Sequence, residues 1–217
     1  MNIRITPHTV IYLTVLAAAL ILGVWSARMA EEPTRPELSP TVQMVSPPLA
    51  APEFNLIDFN QQAFTRKQLE GHWSLVFFGY TYCPDVCPNT MMLMNQAMQR
   101  LEESGSPLKP TIYFVSLDPD RDTPEQLKNY ISYFNPAFIG ITGEDEALEA
   151  LAEKLNIFHS FVMNLANPDN YLMEHSAEVL LISPRTEVIA RFAPPHTPSI
   201  IAENFQKLAQ FYQETRE

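Results

Sequence analysis

An α/β domain behind an N-terminal membrane anchor is the fold class this sequence predicts, and three observations carry it. From Phe54 onward, short apolar strand runs alternate with segments of helical composition, the order expected of a sheet covered by helices. An apolar run from Val10 to Trp25, interrupted only by Tyr12, Thr14 and Gly23, precedes them. A proline-dense stretch lies between the two. The 217 residues, 46% of them apolar, suffice for one well-buried domain. The formal net charge of -11 argues against nucleic acid or an anionic membrane surface as partner.

The Val10 to Trp25 run is at the short edge for a spanning helix. Arg4 precedes it, and Arg28, Glu31 and Glu32 follow, a slight bias toward a cytoplasmic N-terminus. A cleaved signal peptide is the rival, but a cut after Ala30 would put Arg28 at the third position back, where a small residue belongs. No cysteine near Trp25 can take a lipid. Residues 1–30 are therefore read as an uncleaved, single-pass anchor in the cell membrane. Either reading puts the rest of the chain on the extracytoplasmic (periplasmic) side. Residues 31–52 contain Pro33, Pro36, Pro40, Pro47, Pro48 and Pro52 and read as a linker. At about 3.1 Å per residue it would hold a domain of residues 53–217 some tens of Å from the bilayer.

Within that domain Ser74-Leu75-Val76-Phe77-Phe78 reads as a buried strand and Asn89 to Glu103 as a helix. Thr111 to Leu117 is a second strand. Thr123 and Gln126 form a capping box around Pro124, opening the next helix. Phe138 to Ile141 is a short strand. Glu144 to Leu155 is helical, with Leu148, Leu151 and Leu155 at helical spacing. Glu178 to Ile182 and Val188 to Phe192 read as a strand pair joined by the turn Ser183 to Thr186, and Ser199 to Tyr212 as a closing helix. This order of elements is that of a thioredoxin-like fold.

The chain has two cysteines, Cys83 and Cys87, inside Gly79-Tyr80-Thr81-Tyr82-Cys83-Pro84-Asp85-Val86-Cys87-Pro88. They lie where a buried strand passes into a helix, and positions i and i+4 of a helical turn share a face. A dithiol at a helix N-terminus suits a soft metal ion, a reversible disulfide, or both. A purely structural disulfide would close too small a loop to stabilise much. Two sulfurs leave a Cu(I) ion short of ligands, so a third is sought among five histidines. His8 precedes the anchor. His72 and His196 are expected to be solvated, and His159, in an apolar context, to pack as a hydrogen-bonded histidine. His175 immediately precedes the Glu178 to Ile182 strand. In a thioredoxin-like fold that loop faces the dithiol and usually carries a proline, which here is absent, so His175 is read as the third ligand.

These residues resemble the Sco/SenC family of copper-binding proteins that assist cytochrome c oxidase assembly. The resemblance runs from about Phe54 to Phe211. It rests on Gly79 to Pro88, on Val115 to Pro124 with its Asp118-Pro119-Asp120-Arg121-Asp122 core, and on Glu174-His175-Ser176. Glu174 stands where the family commonly has aspartate, which bears on the hydrogen bond that orients the histidine. The resemblance implies copper-ligand roles for Cys83, Cys87 and His175, a copper-accepting subunit of cytochrome c oxidase as partner, and a thiol reductant to keep the cysteines reduced. It makes the chain a metallochaperone rather than an enzyme. The rivals are a thiol-disulfide oxidoreductase acting on the oxidase subunit through a Cys83–Cys87 disulfide, and a copper- or redox-responsive signalling protein. A peroxidase is weaker, since only the neighbouring cysteine can resolve a sulfenate.

Other residues have plainer readings. Asp85 offsets a cationic centre or caps its turn. Asp118, Arg121 and Asp122 read as a salt-bridged helix start, with a docking surface as the alternative. Met91, Met92, Met94 and Met98 read as helix-core packing before a copper-collecting cluster.

Overall fold

The computed structural model describes residues 7–29, 34–162 and 171–216. In chain order its elements are helix α1 (Pro7–Met29), strands β1 (Val42–Ala50), β2 (Asn55–Asp58) and β3 (Ala63–Thr65), a 3-10 turn (Arg66–Leu69), β4 (Ser74–Gly79), α2 (Val86–Glu103), β5 (Thr111–Ser116), α3 (Pro124–Phe134), β6 (Ile139–Thr142), α4 (Asp145–Lys154), β7 (His159–Val162), β8 (Leu172–His175), β9 (Val179–Ile182), β10 (Glu187–Phe192) and α5 (Pro198–Arg216). The mixed α/β architecture is the one the sequence predicts. Among the described residues no helix is long and apolar enough to cross a membrane.

Eight strands form one sheet in the order β1-β10-β9-β4-β5-β6-β2-β3. β4, β5 and β6 run parallel; every residue of β4 is buried, as befits a central strand covered on both faces. Phe77, Phe78 and Phe114 have no exposed surface, each contributing about 1.5–3 kcal/mol over an exposed position. Trp73 closes the core below, meeting Phe205 and Tyr212 of α5 edge-on. β7 and β8 form a separate two-stranded ribbon.

The domain starts earlier than expected. Nine residues of the segment read as a linker over 31–52 form β1, which pairs antiparallel with β10 from Val42↔Phe192 to Ala50↔Glu187. Upstream, Asn204 bonds both the backbone and the hydroxyl of Ser39. The prolines are tolerated because β1 is an edge strand, and the register breaks between Met44 and Leu49, around Pro47 and Pro48. The β2–β3 hairpin and the β7–β8 ribbon are further strands the sequence reading lacked. The capping box at α3 is half formed. Thr123 Oγ1 accepts from the Gln126 N–H at 3.2 Å, but the Gln126 side chain reaches Thr81 Oγ1 instead.

Adjacent parallel strands β4 and β5 end together, with Gly79 beside Ser116. Their βα loops therefore share one crevice at the carboxyl edge of the sheet, where open α/β folds place their sites.

Candidate metal centre

The apolar run of β4 stops at Gly79, and the chain turns through Tyr80 to Asp85 before α2 begins at Val86. Cys83 thus sits in the turn, its N–H donating to Tyr80 O at 3.3 Å, and not on the helix as the i, i+4 reading assumed. The two sulfurs converge for a different reason. The first turn of a helix leaves N–H groups without partners, and Cys83 Sγ takes them: the Cys87 N–H donates to it at 3.4 Å, and the Asp85 N–H points to it as well. The Asp85 side chain is exposed and makes no capping bond. Its part in the site is its backbone N–H.

Cys87, in the first turn of α2, is fully buried, and Cys83 is half-buried. Gly79 makes the room. A Cβ there would lie 2.7 Å from Cys87 Sγ and 3.1 Å from the Phe114 ring, which is why a residue without one ends β4. The thiols are electrostatically unequal. The hydrogen bond from Cys87 draws the Cys83 thiol well below its ordinary range, and His175 and the two backbone N–H groups add to the effect. Burial, and the neighbouring Cys83, push Cys87 up. The two sulfurs are thus pushed in opposite directions, Cys83 toward the thiolate and Cys87 toward the thiol.

His175 arrives on the last residue of β8. Its Nε2 is 3.3 Å from Cys87 Sγ, and its Nδ1 is 3.1 Å from Ser176 O. A carbonyl only accepts, so Nδ1 carries a hydrogen and is committed to Ser176, which leaves Nε2 as the nitrogen that faces the sulfurs. The orienting partner is Ser176, while Glu174 is exposed. Phe77 and Tyr80 meet the imidazole edge-on, each at 6.0 Å between ring centres. The three donor atoms lie within 4.8 Å of one another. Two soft sulfurs and one imidazole nitrogen, half-buried and close-packed, suit a soft, low-coordinate ion.

The other histidines lie elsewhere. His159 pairs with Glu149 at 3.0 Å. His72 is half-buried against Tyr113 OH at 3.1 Å. His196, expected at the surface, is half-buried and meets Ala177 O at 2.8 Å; burial lowers its pKa. His8 is exposed. Met91 and Met94 are wholly buried and Met98 packs on the core, whereas Met92 is 48% exposed.

The charged loop after β5 is not a solvated docking surface. Asp122 is fully buried and Asp118 is 1% exposed. Asp122 accepts from the Thr81 N–H at 3.0 Å, Thr81 Oγ1 at 2.6 Å and Ser116 Oγ at 2.6 Å. It thereby ties the cysteine loop to the end of β5. Sequence reasoning overlooked Gly79, Tyr80, Thr81, Tyr171 and Ser176 as supports of the site. A glycine closing an otherwise bulky strand was the one available signal.

A family model described as SCO1/SenC matches residues 43–210. The chain belongs to the SCO1/SenC family. This SCO1/SenC domain is 34% identical over 151 residues to the SCO2-like protein of Rickettsia felis, covering 70% of this chain and 73% of that protein. Among solved structures, Bradyrhizobium japonicum ScoI with copper bound matches with a TM-score of 0.65 and 30% identity, over 73% of this chain and 99% of that one. Arabidopsis thaliana ScoI with copper bound matches with a TM-score of 0.70 and 28% identity, over 74% and 98%. The SCO1/SenC match begins at residue 43, beside Val42, where β1 begins.

Proposed function

We propose that this SCO1/SenC protein carries one copper ion on the Cys83 and Cys87 thiolates and His175 Nε2, and hands it to the copper-accepting subunit of cytochrome c oxidase. The observation that carries the reading is the convergence of the three donor atoms, with the far nitrogen of the imidazole held on the Ser176 carbonyl. The copper-bound ScoI relatives support the choice of metal, and the family resemblance supports the oxidase as destination. Copper is cargo here, and Cu(I) binding displaces the protons that the reduced thiols carry. Cys83 is the thiol drawn toward thiolate, so it is the readier of the two to give up its proton.

Loading requires the reduced pair. A Cys83–Cys87 disulfide holds both sulfurs, so a thiol reductant must first supply two electrons and two protons and leave as its own disulfide. The same chemistry underlies the second reading, a thiol-disulfide oxidoreductase, favoured by the half-exposed and acidified Cys83. One experiment separates them. The reduced full chain in detergent is expected to bind one Cu(I), and the disulfide form none tightly. His175→Ala is expected to weaken binding by at least the ~10-fold to 100-fold typical of losing even a supporting partner, while its dithiol still cycles against a thiol buffer. Equal copper stoichiometry in oxidised and reduced protein, or unchanged affinity in His175→Ala, rejects the carrier reading.

Membrane tethering belongs to the same proposal. α1 presents Leu13, Leu16, Leu20, Ile21, Val24 and Trp25 to its surroundings, each at least 59% exposed. A helix apolar on all sides belongs in a core or a bilayer. Its described side chains run unbroken only from Tyr12 to Trp25, short of a span, but its helical backbone covers 23 residues. At ~1.5 Å per residue that length exceeds a ~30 Å hydrocarbon layer. The chain is expected to stay with membranes through a carbonate wash; recovery of a soluble form starting between residues 27 and 31 would show a cleaved signal instead. An anchored α1 keeps the metal centre on the extracytoplasmic side.

A further inference from the structure

We propose that Arg121 is a positioning residue for the metal centre: it clamps the ribbon bearing His175 onto the loop bearing Cys83, and so sets how firmly the third ligand is presented. The inference rests on the copper reading above. Among the described residues β7 and β8 pair only with each other, and a two-stranded ribbon by itself is marginal in water. His175 is at the end of that ribbon, so its position depends on what ties the ribbon down.

Arg121 supplies the tie with three faces of one group. Its Nε donates to Asp118 Oδ2 at 2.6 Å. Its Nη1 donates to the carbonyl of Tyr171, the residue before β8, at 3.0 Å. The guanidinium plane lies 3.6 Å over the Tyr171 ring and 4.9 Å from the ring of Tyr82, next to Cys83. Tyr171 returns a bond from its hydroxyl to Asp118 Oδ1 at 2.6 Å, and its ring stacks edge-on with Phe161 of β7. Asp118 anchors this cluster from its buried position at the end of β5. A fixed planar fork that also stacks is what arginine offers and lysine does not. Phe161, Tyr171, Arg121 and Tyr82 therefore form one chain of contacts from the ribbon to the cysteine loop. A second tie, Tyr80 OH accepting from the Met173 N–H at 3.1 Å, lies nearer the histidine.

The test uses the reduced full chain in detergent and two readouts, Cu(I) affinity by chelator competition and amide hydrogen exchange of the metal-free protein. Arg121→Lys is expected to weaken Cu(I) about 10-fold and to speed exchange at β7 and β8, with the amides of β4 and β5 unchanged. Tyr171→Phe keeps the stack and loses the Asp118 bond, so it should shift both readouts the same way by less. In a His175→Ala background Arg121→Lys should change copper affinity by less than about 2-fold, since a residue acting through the histidine has nothing left to position. An equal loss with and without His175, or faster exchange throughout the sheet, overturns the proposal. So does unchanged affinity in Arg121→Lys when His175→Ala is weakened. If His175→Ala itself binds copper like the wild type, the copper reading falls and this proposal falls with it.

Discussion

Cys87→Ser is expected to abolish high-affinity Cu(I) binding, with a loss exceeding about 100-fold, or about 2.8 kcal/mol. That figure is the upper end of what supporting partners cost, and a direct ligand must exceed it. A serine hydroxyl is a hard, neutral donor and cannot stand in for a thiolate on a soft ion. No third cysteine exists in the chain to replace it. Cys83→Ser should lose copper comparably, yet the two variants should differ in stability. Cys87 is fully buried and faces His175 Nε2, so a shorter, more polar side chain there disturbs a packed site and costs about 1–3 kcal/mol. Cys83 is half-buried and its replacement should cost less. Chelator competition and thermal denaturation on the same samples check both halves. Retention of tight Cu(I) binding by either variant would remove the dithiol from the site.

What the sequence disclosed and what it hid divide along physical lines. β4, β5, α4 and the β9–β10 pair were legible because each buries a regular apolar face, and burial writes a period into the chain. β1 was hidden because prolines read as breakers, although an edge strand leaves one row of backbone groups unpaired and admits them. β7 and β8 were hidden because Phe161, Val162 and Leu172 are about half exposed and Met173 alone of their apolar side chains enters the core, which leaves no period to read. The ligands were legible from chemistry: two thiols and one suitably placed histidine. Their supports were not. Asp118, Arg121 and Asp122 read from composition as a salt-bridged helix start, and the Arg121–Asp118 pair is there, but their depth is not announced. Their burial depends on Thr81, Ser116 and Tyr171, which lie 6 to 53 positions away and announce no partnership in sequence. A tertiary hydrogen-bond network leaves no periodic trace, so the burial of the charged residues nearest the site was not legible.

Asp122→Ala is expected to be the most destabilising single change beside the site, costing about 3–5 kcal/mol. The carboxylate is fully buried and takes three donors, the Thr81 N–H, the Thr81 hydroxyl and the Ser116 hydroxyl. Removing it strands all three donors, and a buried donor left without a partner costs about 1–3 kcal/mol. Some of that cost is recoverable, because burial already pushes the Asp122 carboxyl above its ordinary pKa and the hydrogen bonds only partly offset this. Asp122→Asn keeps the volume and one acceptor oxygen while removing the charge, so it should cost clearly less than Asp122→Ala. The damage should also reach the metal. Thr81 is two residues from Cys83, and its N–H and hydroxyl fix the loop that aims Cys83 Sγ at the start of α2. Asp122→Ala should therefore weaken Cu(I) binding even at temperatures where the protein is fully folded, with Asp122→Asn intermediate in both properties. Urea denaturation followed by Cu(I) competition on the folded fraction checks the order. Stability equal to wild type in Asp122→Ala would mean that the three donors find other partners and that this carboxylate does not hold the cysteine loop.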